Sequence, residues 1–116
     1  MADTLELLAR KLRDFAAARD WEQFHSPKNL AMALSVEAAE LLEVFQWMDD
    51  ADSRNLAPDA KAAASEEVAD VLLYLILLCD GLGIDPVAAA ERKMVENARK
   101  YPVDKARGTS KKYTEL

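Results

Sequence analysis

The chain has 116 residues, a length typical of one domain with a single hydrophobic core, and we expect residues 1–116 to form one domain. Apolar residues make up 51% of the chain, with three glycines and four prolines, a composition that indicates a globular, helical protein. The net charge of −6 argues against a surface that binds nucleic acid polymers.

The charge is divided unevenly along the sequence. Residues 1–91 contain 7 Lys or Arg and 18 Asp or Glu, a net of −11, whereas residues 92–116 contain 8 and 3, a net of +5. An acidic body that holds a metal ion, faced by a basic C-terminal segment, suits an anionic ligand chelated to that metal. We therefore expect a local pocket for such a ligand.

Apolar spacing predicts an all-α fold of four helices. Their bounds, in chain order, are about 4–19, 26–48, 58–81 and 86–100. Ser26-Pro27 and Asp85-Pro86 each combine an N-cap side chain with a proline at the first helical position. Gly81 and Gly83 predict the end of the third helix.

The remaining segments lack helical spacing. DWEQFH (20–25) interrupts the period and reads as a connection, and the polar residues 49–56 read as a loop. Pro102 ends the fourth helix, and residues 101–116 form a predicted tail that is extended or partly ordered.

The third predicted helix is apolar nearly all round from Val71 to Cys79. A helix of this kind must be covered on several sides, so we expect a four-helix bundle that self-associates through it. The apolar run has nine residues, whereas a membrane span needs about 20, and we expect no membrane partner.

Cysteine usage and the start of the chain indicate the compartment. Cys79 is the single cysteine, which excludes a disulfide framework, and it lies in the apolar run where a buried thiol is expected. The initial residues MADT carry no basic and apolar signal region. We expect a cytoplasmic protein.

Two pairs of acidic residues share one spacing: Glu37 with Glu40, and Glu67 with Asp70. Each pair projects from one helix face. Glu37 interrupts an apolar stripe and Asp70 begins an apolar stretch, so we expect these two to be set most deeply. Buried carboxylates are unfavourable unless they are paired or bind a metal ion. Oxygen ligands select hard cations, which predicts Mg²⁺, with Mn²⁺ as the substitute.

Other interpretations of these acids are open. They would be solvated surface pairs if the chain were a helical scaffold without a ligand. Glu43 follows Glu40 by three residues on the second helix, but the helix turn rotates it away from Glu37. Glu66 is next to Glu67 in sequence, so we expect its side chain to point away from the site. A di-iron bundle needs two E-x-x-H motifs, but the single histidine, His25, lies outside both helices.

The basic residues of the fourth helix form a stripe. Lys93, Asn97 and Lys100 follow at i, i+4 and i+7, and the stripe ends at Tyr101. It is either a solvated face or a clamp for phosphate groups. Three basic residues of the tail are predicted to close over it: Arg107, Lys111 and Lys112.

Aromatic residues suggest a base pocket. Core packing explains most of them, but Trp21 and His25 lie in the predicted connection among polar neighbours. An aromatic cleft beside a metal and a phosphate clamp suits a nucleotide, because ring faces stack on a base. No glycine-rich phosphate loop, nucleophile elbow or zinc-ligand spacing occurs in the sequence.

The motifs EAAE (37–40) and EVAD (67–70) resemble the E-x-x-E…E-x-x-D signature of the all-α nucleotide pyrophosphohydrolases of the MazG-like superfamily. The resemblance covers nearly the whole chain and is nearer to the dCTP pyrophosphatase branch. It is carried by RDWEQFHSPKNLAMAL (19–34), FQWM (45–48), EEVADVLLYL (66–75), KMVENARKYP (93–102) and GTSKKYTEL (108–116).

The resemblance implies hydrolysis of a nucleoside triphosphate, dCTP or a modified deoxynucleotide, to the monophosphate and pyrophosphate, for nucleotide-pool control or house-cleaning. The alternative is a catalytically weak helical module that binds nucleotides and regulates. The resemblance also implies a homo-oligomer, a dimer or a dimer of dimers (homotetramer), with sites built by more than one subunit. Related animal enzymes carry a histidine at the position of Leu12, so a strict preference for cytosine is not implied.

Residue roles are implied by motif position. Glu40 or Glu67 would orient a water molecule as catalytic base. The implied metal ligands are Glu37, Glu40, Glu67 and Asp70. The implied contacts to the triphosphate are Lys93, Asn97, Lys100 and Tyr101. The implied lining of the base and sugar pocket is Trp21, His25, Trp47 and Tyr74, with Asn29 close by.

Overall fold

The computed structural model describes residues 4–116, and within that range its regular structure is helical, without strands. The α-helices are α1 (Thr4–Ala18), α2 (Pro27–Phe45), α3 (Asp50–Ser53), α4 (Pro58–Leu82), α5 (Pro86–Lys100) and α6 (Val103–Ala106). Two 3₁₀ turns are formed by Glu22–Phe24 and Tyr113–Glu115. The all-α prediction and its four long helices are confirmed.

The helix boundaries follow from the capping residues. The Ser26 hydroxyl accepts a hydrogen bond from the Asn29 N–H (3.1 Å) and begins α2. The Asp85 carboxylate accepts from the N–H groups of Val87 and Ala88 and begins α5. Gly83 ends α4 in the left-handed conformation (φ 67°), which costs glycine little because it has no Cβ.

Four short elements were missed, the first of them the 3₁₀ turn Glu22–Phe24 in the predicted connection, and one long helix was predicted to end too late. α2 ends at Phe45, before the predicted Met48. The predicted loop contains α3, which begins where the Asp49 carboxylate accepts from the Asp52 N–H (2.8 Å). The predicted tail contains α6 and the second 3₁₀ turn, so it is not extended throughout. A helix of one turn is too short to show a helical spacing of apolar residues, so only its capping residues can indicate it in the sequence.

The chain forms two compact units, one ending at Gly83 and the other comprising Ile84–Leu116. In the first unit α4 is the shared element, because both α1 and α2 pack against it. The α2–α4 contact is the more extensive and places the EAAE and EVAD motifs side by side. The second unit consists of α5, α6 and the final 3₁₀ turn.

The chain covers little of its own apolar surface. Among the described residues, the buried apolar residues are Ala16, Leu30, Ala64 and Ile76. Val68, Leu72 and Leu75 of α4 are all exposed, so this helix is left partly uncovered. Within the described range, no single helix is long and apolar enough to cross a membrane. The helices α4 and α5 reach that length and apolarity only when they are counted together across the break between them.

Candidate metal and nucleotide site

Three acidic side chains converge where α2 lies along α4. Glu37 from α2 and Glu67 and Asp70 from α4 each offer a carboxylate oxygen, and these oxygens lie within 4.8 Å of one another. Oxygens on opposite sides of one Mg²⁺ or Ca²⁺ lie about 4 to 5 Å apart. The three side chains therefore fit a divalent cation, and we call them, together with the neighbouring Glu40, the acid cluster.

The cluster contains carboxylate oxygens that the protein itself does not satisfy. Oε2 of Glu37 and Oε2 of Glu67 are buried and have no hydrogen-bond partner among the described residues. Burying an acceptor without a partner is unfavourable, because the hydrogen bonds to water are lost and not replaced. A bound cation would supply the missing partner for both oxygens, which supports the same assignment.

Crowding of the acids raises two pKa values. The pKa of Glu37 is raised to about 7, first by a hydrogen bond with the Glu40 carboxyl group, then by desolvation and by the charges of Glu40, Asp70 and Glu67. The pKa of Glu67 is also raised, first by desolvation and then by the charge of Glu40. Glu40 thus acts on both neighbours, although it is not one of the three converging ligands.

Depth within the cluster differs from the prediction. Glu37 is half-buried as expected, but Asp70 is exposed, whereas Glu67 and Glu40 are half-buried. The prediction that Asp70 is among the most deeply set acids is wrong. The apolar stretch after Asp70 indicates that α4 is buried over part of its length, but not which side of it other helices cover. Glu43 and Glu66 are exposed and lie outside the three converging ligands.

A cavity of about 160 Å³ adjoins the acid cluster within the first unit, and Asp70 belongs to both. It brings together three residues predicted for the base and sugar pocket: Trp21, His25 and Tyr74. We call it the aromatic pocket. Its complete lining is Leu12, Phe15, Ala16, Trp21, His25, Asp70, Leu73, Tyr74 and Leu77.

The end of α1 positions Trp21. The Trp21 N–H donates to the Ala16 carbonyl (3.0 Å), and Asp20 between them adopts φ 54°, a conformation that Asp tolerates better than most residues. The Phe15 ring meets the Trp21 ring edge-on, with centroids 5.7 Å apart at 68°. The Arg19 guanidinium lies 3.5 Å from the Phe15 ring centroid.

Phe15 is a pocket residue that the sequence reasoning missed, because its spacing with Leu12 and Ala16 indicates only the core face of α1. The signal that could have found it is its position one turn before the end of α1 and close to Trp21. A helix face that reads as core can also form the wall of an open pocket, since both are apolar.

Two predicted residues do not line the aromatic pocket. The Asn29 side-chain amide donates to the Phe24 carbonyl (3.0 Å) and so ties the start of α2 to the preceding turn. Trp47 follows the end of α2 and is 89% exposed, without a place in the lining. Any contact of Trp47 with a ligand in this pocket stays a prediction.

In the second unit, the predicted phosphate contacts lie on α5 and just after it. Lys93 and Asn97 are exposed, whereas Lys100 and Tyr101 are half-buried. Lys100 Nζ lies 3.9 Å from Glu96 Oε1 and 4.8 Å from the centroid of the Tyr113 ring. The three basic residues of the tail are exposed: Arg107, Lys111 and Lys112. Contacts of these residues with a phosphate stay predictions.

Glu96 differs from the acids of the cluster because it has a cationic partner. The Arg99 guanidinium donates to both of its carboxylate oxygens. This hydrogen bonding lowers the pKa of Glu96, and it raises the pKa of Arg99. The ion pair is accordingly complete within the helix.

Comparison with known proteins identifies the family of the chain. Residues 32–116 match the MazG-like family. The chain is 47% identical to human dCTP pyrophosphatase 1 over 97% of its own length and 68% of the length of that protein. The rat protein of the same name is also 47% identical, and the bovine one is 46% identical, with the same coverage.

A solved structure shows the same fold. The crystal structure of a pyrophosphatase from Archaeoglobus fulgidus superposes with a TM-score of 0.79. It is 44% identical in sequence, and the match covers 88% of this chain and 95% of that one. The resemblance drawn from the sequence motifs is confirmed.

Proposed function

The chain belongs to the MazG-like family, and from this membership and the acid cluster we propose that it is a nucleoside triphosphate pyrophosphohydrolase. Its substrate in this proposal is dCTP or a modified deoxynucleotide, and its products are the monophosphate and pyrophosphate. The observation that carries the proposal is that Asp70 belongs both to the acid cluster and to the lining of the aromatic pocket. A base in the pocket would therefore place its phosphates beside the metal ligands.

The proposed metal is Mg²⁺, with Mn²⁺ as a substitute, held by Glu37, Glu67 and Asp70 with Glu40 as the fourth ligand. The all-oxygen donor set and the two unsatisfied oxygens support this choice. When bound, the ion neutralises charge on the triphosphate and lowers the pKa of a coordinated water molecule.

The protein's own contribution to the reaction is to orient the attacking water molecule and accept its proton. In the proposal, Glu40 or Glu67 takes this role. Each is half-buried within the acid cluster, and when either acts as the base, the other acids still hold the metal ion.

Base and sugar would occupy the aromatic pocket. The rings of Trp21 and Tyr74 offer stacking surfaces, and His25 and Asp70 offer polar groups for the edge of the base. Leu12 adds an apolar wall, which suits a base with an apolar substituent as well as an unmodified one. The triphosphate contacts of the proposal are Lys93, Asn97, Lys100 and Tyr101, together with the tail residues Arg107, Lys111 and Lys112.

We propose that the active form is a homo-oligomer, a dimer or a homotetramer. The uncovered apolar side chains of α4 support this, because burying them against a second copy is favourable. Trp47, 89% exposed, would then contribute to the site of a neighbouring subunit. The two units would act together as one domain, in a cytoplasmic enzyme of nucleotide-pool control without membrane or nucleic acid partners.

The test is a panel of canonical and 5-modified triphosphates, assayed for monophosphate and pyrophosphate with and without Mg²⁺. We expect pyrophosphate release that depends on Mg²⁺, with deoxycytidine nucleotides among the best substrates. Release of single phosphates, or turnover that chelation leaves intact, would contradict the proposal. Binding that raises the melting temperature without any turnover would favour the regulatory module instead.

A further inference from the structure

The end of the chain returns to the end of α5. The last 3₁₀ turn brings the Tyr113 ring to 4.8 Å from Lys100 Nζ, measured to the ring centroid. The same ring meets Tyr101 edge-on, with centroids 6.0 Å apart at 84°. A lysine ammonium within about 6 Å of a tyrosine ring is attracted by the negative face of the ring. Tyr113 therefore contacts two neighbouring residues of α5 and its cap.

Tyr113 confines Lys100 without neutralising it. Glu96 Oε1 lies 3.9 Å from Nζ, close enough for an ion pair but beyond hydrogen-bond distance, and Glu96 shares its charge with Arg99, which donates to both of its oxygens. An aromatic ring attracts the ammonium but carries no net charge and occupies little of its donor capacity. Lys100 is thus held in place by Tyr113, while its ion pair with Glu96 is shared with Arg99 and leaves ammonium donors for an anion.

Holding a lysine in advance favours anion binding. A free lysine side chain has many rotamers and loses that freedom when it contacts a phosphate, which weakens binding. The Lys100 side chain is only 25% exposed, so much of this ordering is already present. A residue that orders Lys100 therefore improves the affinity for the ligand that Lys100 contacts.

We propose that Tyr113 is a positioning residue that holds the Lys100 ammonium for the triphosphate. The inference rests on the proposed function, in which Lys100 is a triphosphate contact. It assigns the contribution of Tyr113 to its ring, not to its hydroxyl group, because the ring faces the ammonium.

The kinetic test compares Tyr113→Leu, Tyr113→Phe, Lys100→Met and the double variant Lys100→Met/Tyr113→Leu, with dCTP at saturating Mg²⁺. We expect Tyr113→Leu to raise KM about threefold to tenfold, with kcat nearly unchanged. Tyr113→Phe keeps the ring and should retain the wild-type KM. The double variant should match Lys100→Met, since Tyr113 acts through Lys100.

Three kinetic results would overturn the inference: a wild-type KM for Tyr113→Leu, a KM for Tyr113→Phe as high as that of Tyr113→Leu, or an undiminished effect of Tyr113→Leu when Lys100 is already Met. Each variant's melting temperature separates these results from unfolding. A purely structural role would lower the melting temperature or kcat and would not depend on Lys100.

A second measurement tests the contact independently of turnover. The εCH₂ signal of Lys100, assigned by its loss in Lys100→Met, should be shifted upfield by the Tyr113 ring in proton–carbon NMR spectra. The shift should persist in Tyr113→Phe and vanish in Tyr113→Leu. A signal that does not respond to Tyr113→Leu overturns the inference, whatever the enzyme does. A wild-type enzyme inert toward every triphosphate instead contradicts the proposed function, even where the shift is present.

Discussion

Glutamates in the two units have opposite electrostatic environments. In the acid cluster, Glu37 and Glu67 face other carboxylates, and their pKa values are raised. On α5, Glu96 is paired with Arg99, and its pKa is lowered. The same side chain thus holds its proton more tightly in one place and less tightly in the other, because its neighbours differ in sign.

This contrast separates charges that need a ligand from charges that the fold already satisfies. The Glu96–Arg99 pair is complete within one helix and is largely exposed, where ion pairs add little to stability. Within residues 4–116, the cluster leaves two buried carboxylate oxygens without partners, an arrangement that a stable protein keeps where function requires it. Buried carboxylates without hydrogen-bond partners therefore indicate the position of the site better than the number of acidic residues in a segment does.

The largest expected effect comes from removing a charge of the cluster. Glu40→Gln and Glu67→Gln should each lower kcat about 100-fold to 10,000-fold, the usual range for loss of a general base, while the fold is kept. Glu43→Gln and Glu66→Gln are matched controls on the same helices and should leave pyrophosphate release unchanged, because both side chains are exposed outside the ligand group. Full activity of both Glu40→Gln and Glu67→Gln would contradict the contrast between the acid cluster, which needs a ligand, and the Glu96–Arg99 pair, which does not.

The aromatic pocket should respond in substrate affinity. Trp21→Ala should raise KM about tenfold to 100-fold, since stacking on one base contributes on the order of 1–3 kcal/mol. Phe24→Ala is the control, because Phe24 lies in the same turn, is 60% exposed and does not line the pocket. Steady-state kinetics measure both variants. Equal KM values for the two would show that Trp21 does not contact the base.

The raised pKa of Glu37 predicts how metal binding depends on pH. Between the ordinary value of 4.5 and about 7, folded Glu37 holds a proton that the unfolded chain has released. Without metal, this group therefore makes the protein less stable as pH rises through that window. Mg²⁺ needs the deprotonated form, so it should raise the melting temperature more at about pH 8 than at about pH 5.5.

Calorimetry with and without Mg²⁺ across this range checks the prediction. Glu37→Gln should flatten the pH dependence of the metal-free protein and abolish most of the Mg²⁺ effect, whereas Glu43→Gln should keep the wild-type profile. A stabilisation by Mg²⁺ that is equal at both pH values would argue against Glu37 as a ligand.

The smallest effect is expected at the satisfied pair. The lowered pKa of Glu96 means that its charged form stabilises the fold above its unfolded pKa, and this stabilisation is lost as pH falls through the folded value. Glu96→Gln should therefore change the melting temperature only slightly at neutral pH, because the pair is exposed. A large loss of stability would show that the contrast with the acid cluster is smaller than the structure indicates.

The sequence by itself determined the features that depend on local interactions. Ser26-Pro27, Asp85-Pro86 and Gly83 specify helix boundaries through hydrogen bonds and backbone conformations within a few residues. The spacing of Glu37 with Glu40, and of Glu67 with Asp70, specifies which acids share a helix face. The family motifs follow from the same local patterns, and the comparisons confirm them.

Only the tertiary structure decided what depends on which helix covers which face. It placed Asp70 at the exposed edge shared with the aromatic pocket, made Phe15 a wall of that pocket, and left Trp47 outside it. An apolar stripe looks the same in sequence whether it meets another helix, an open pocket or solvent, because burial depends on distant segments. The unsatisfied oxygens of Glu37 and Glu67 arise in the same way, from the packing of α2 against α4.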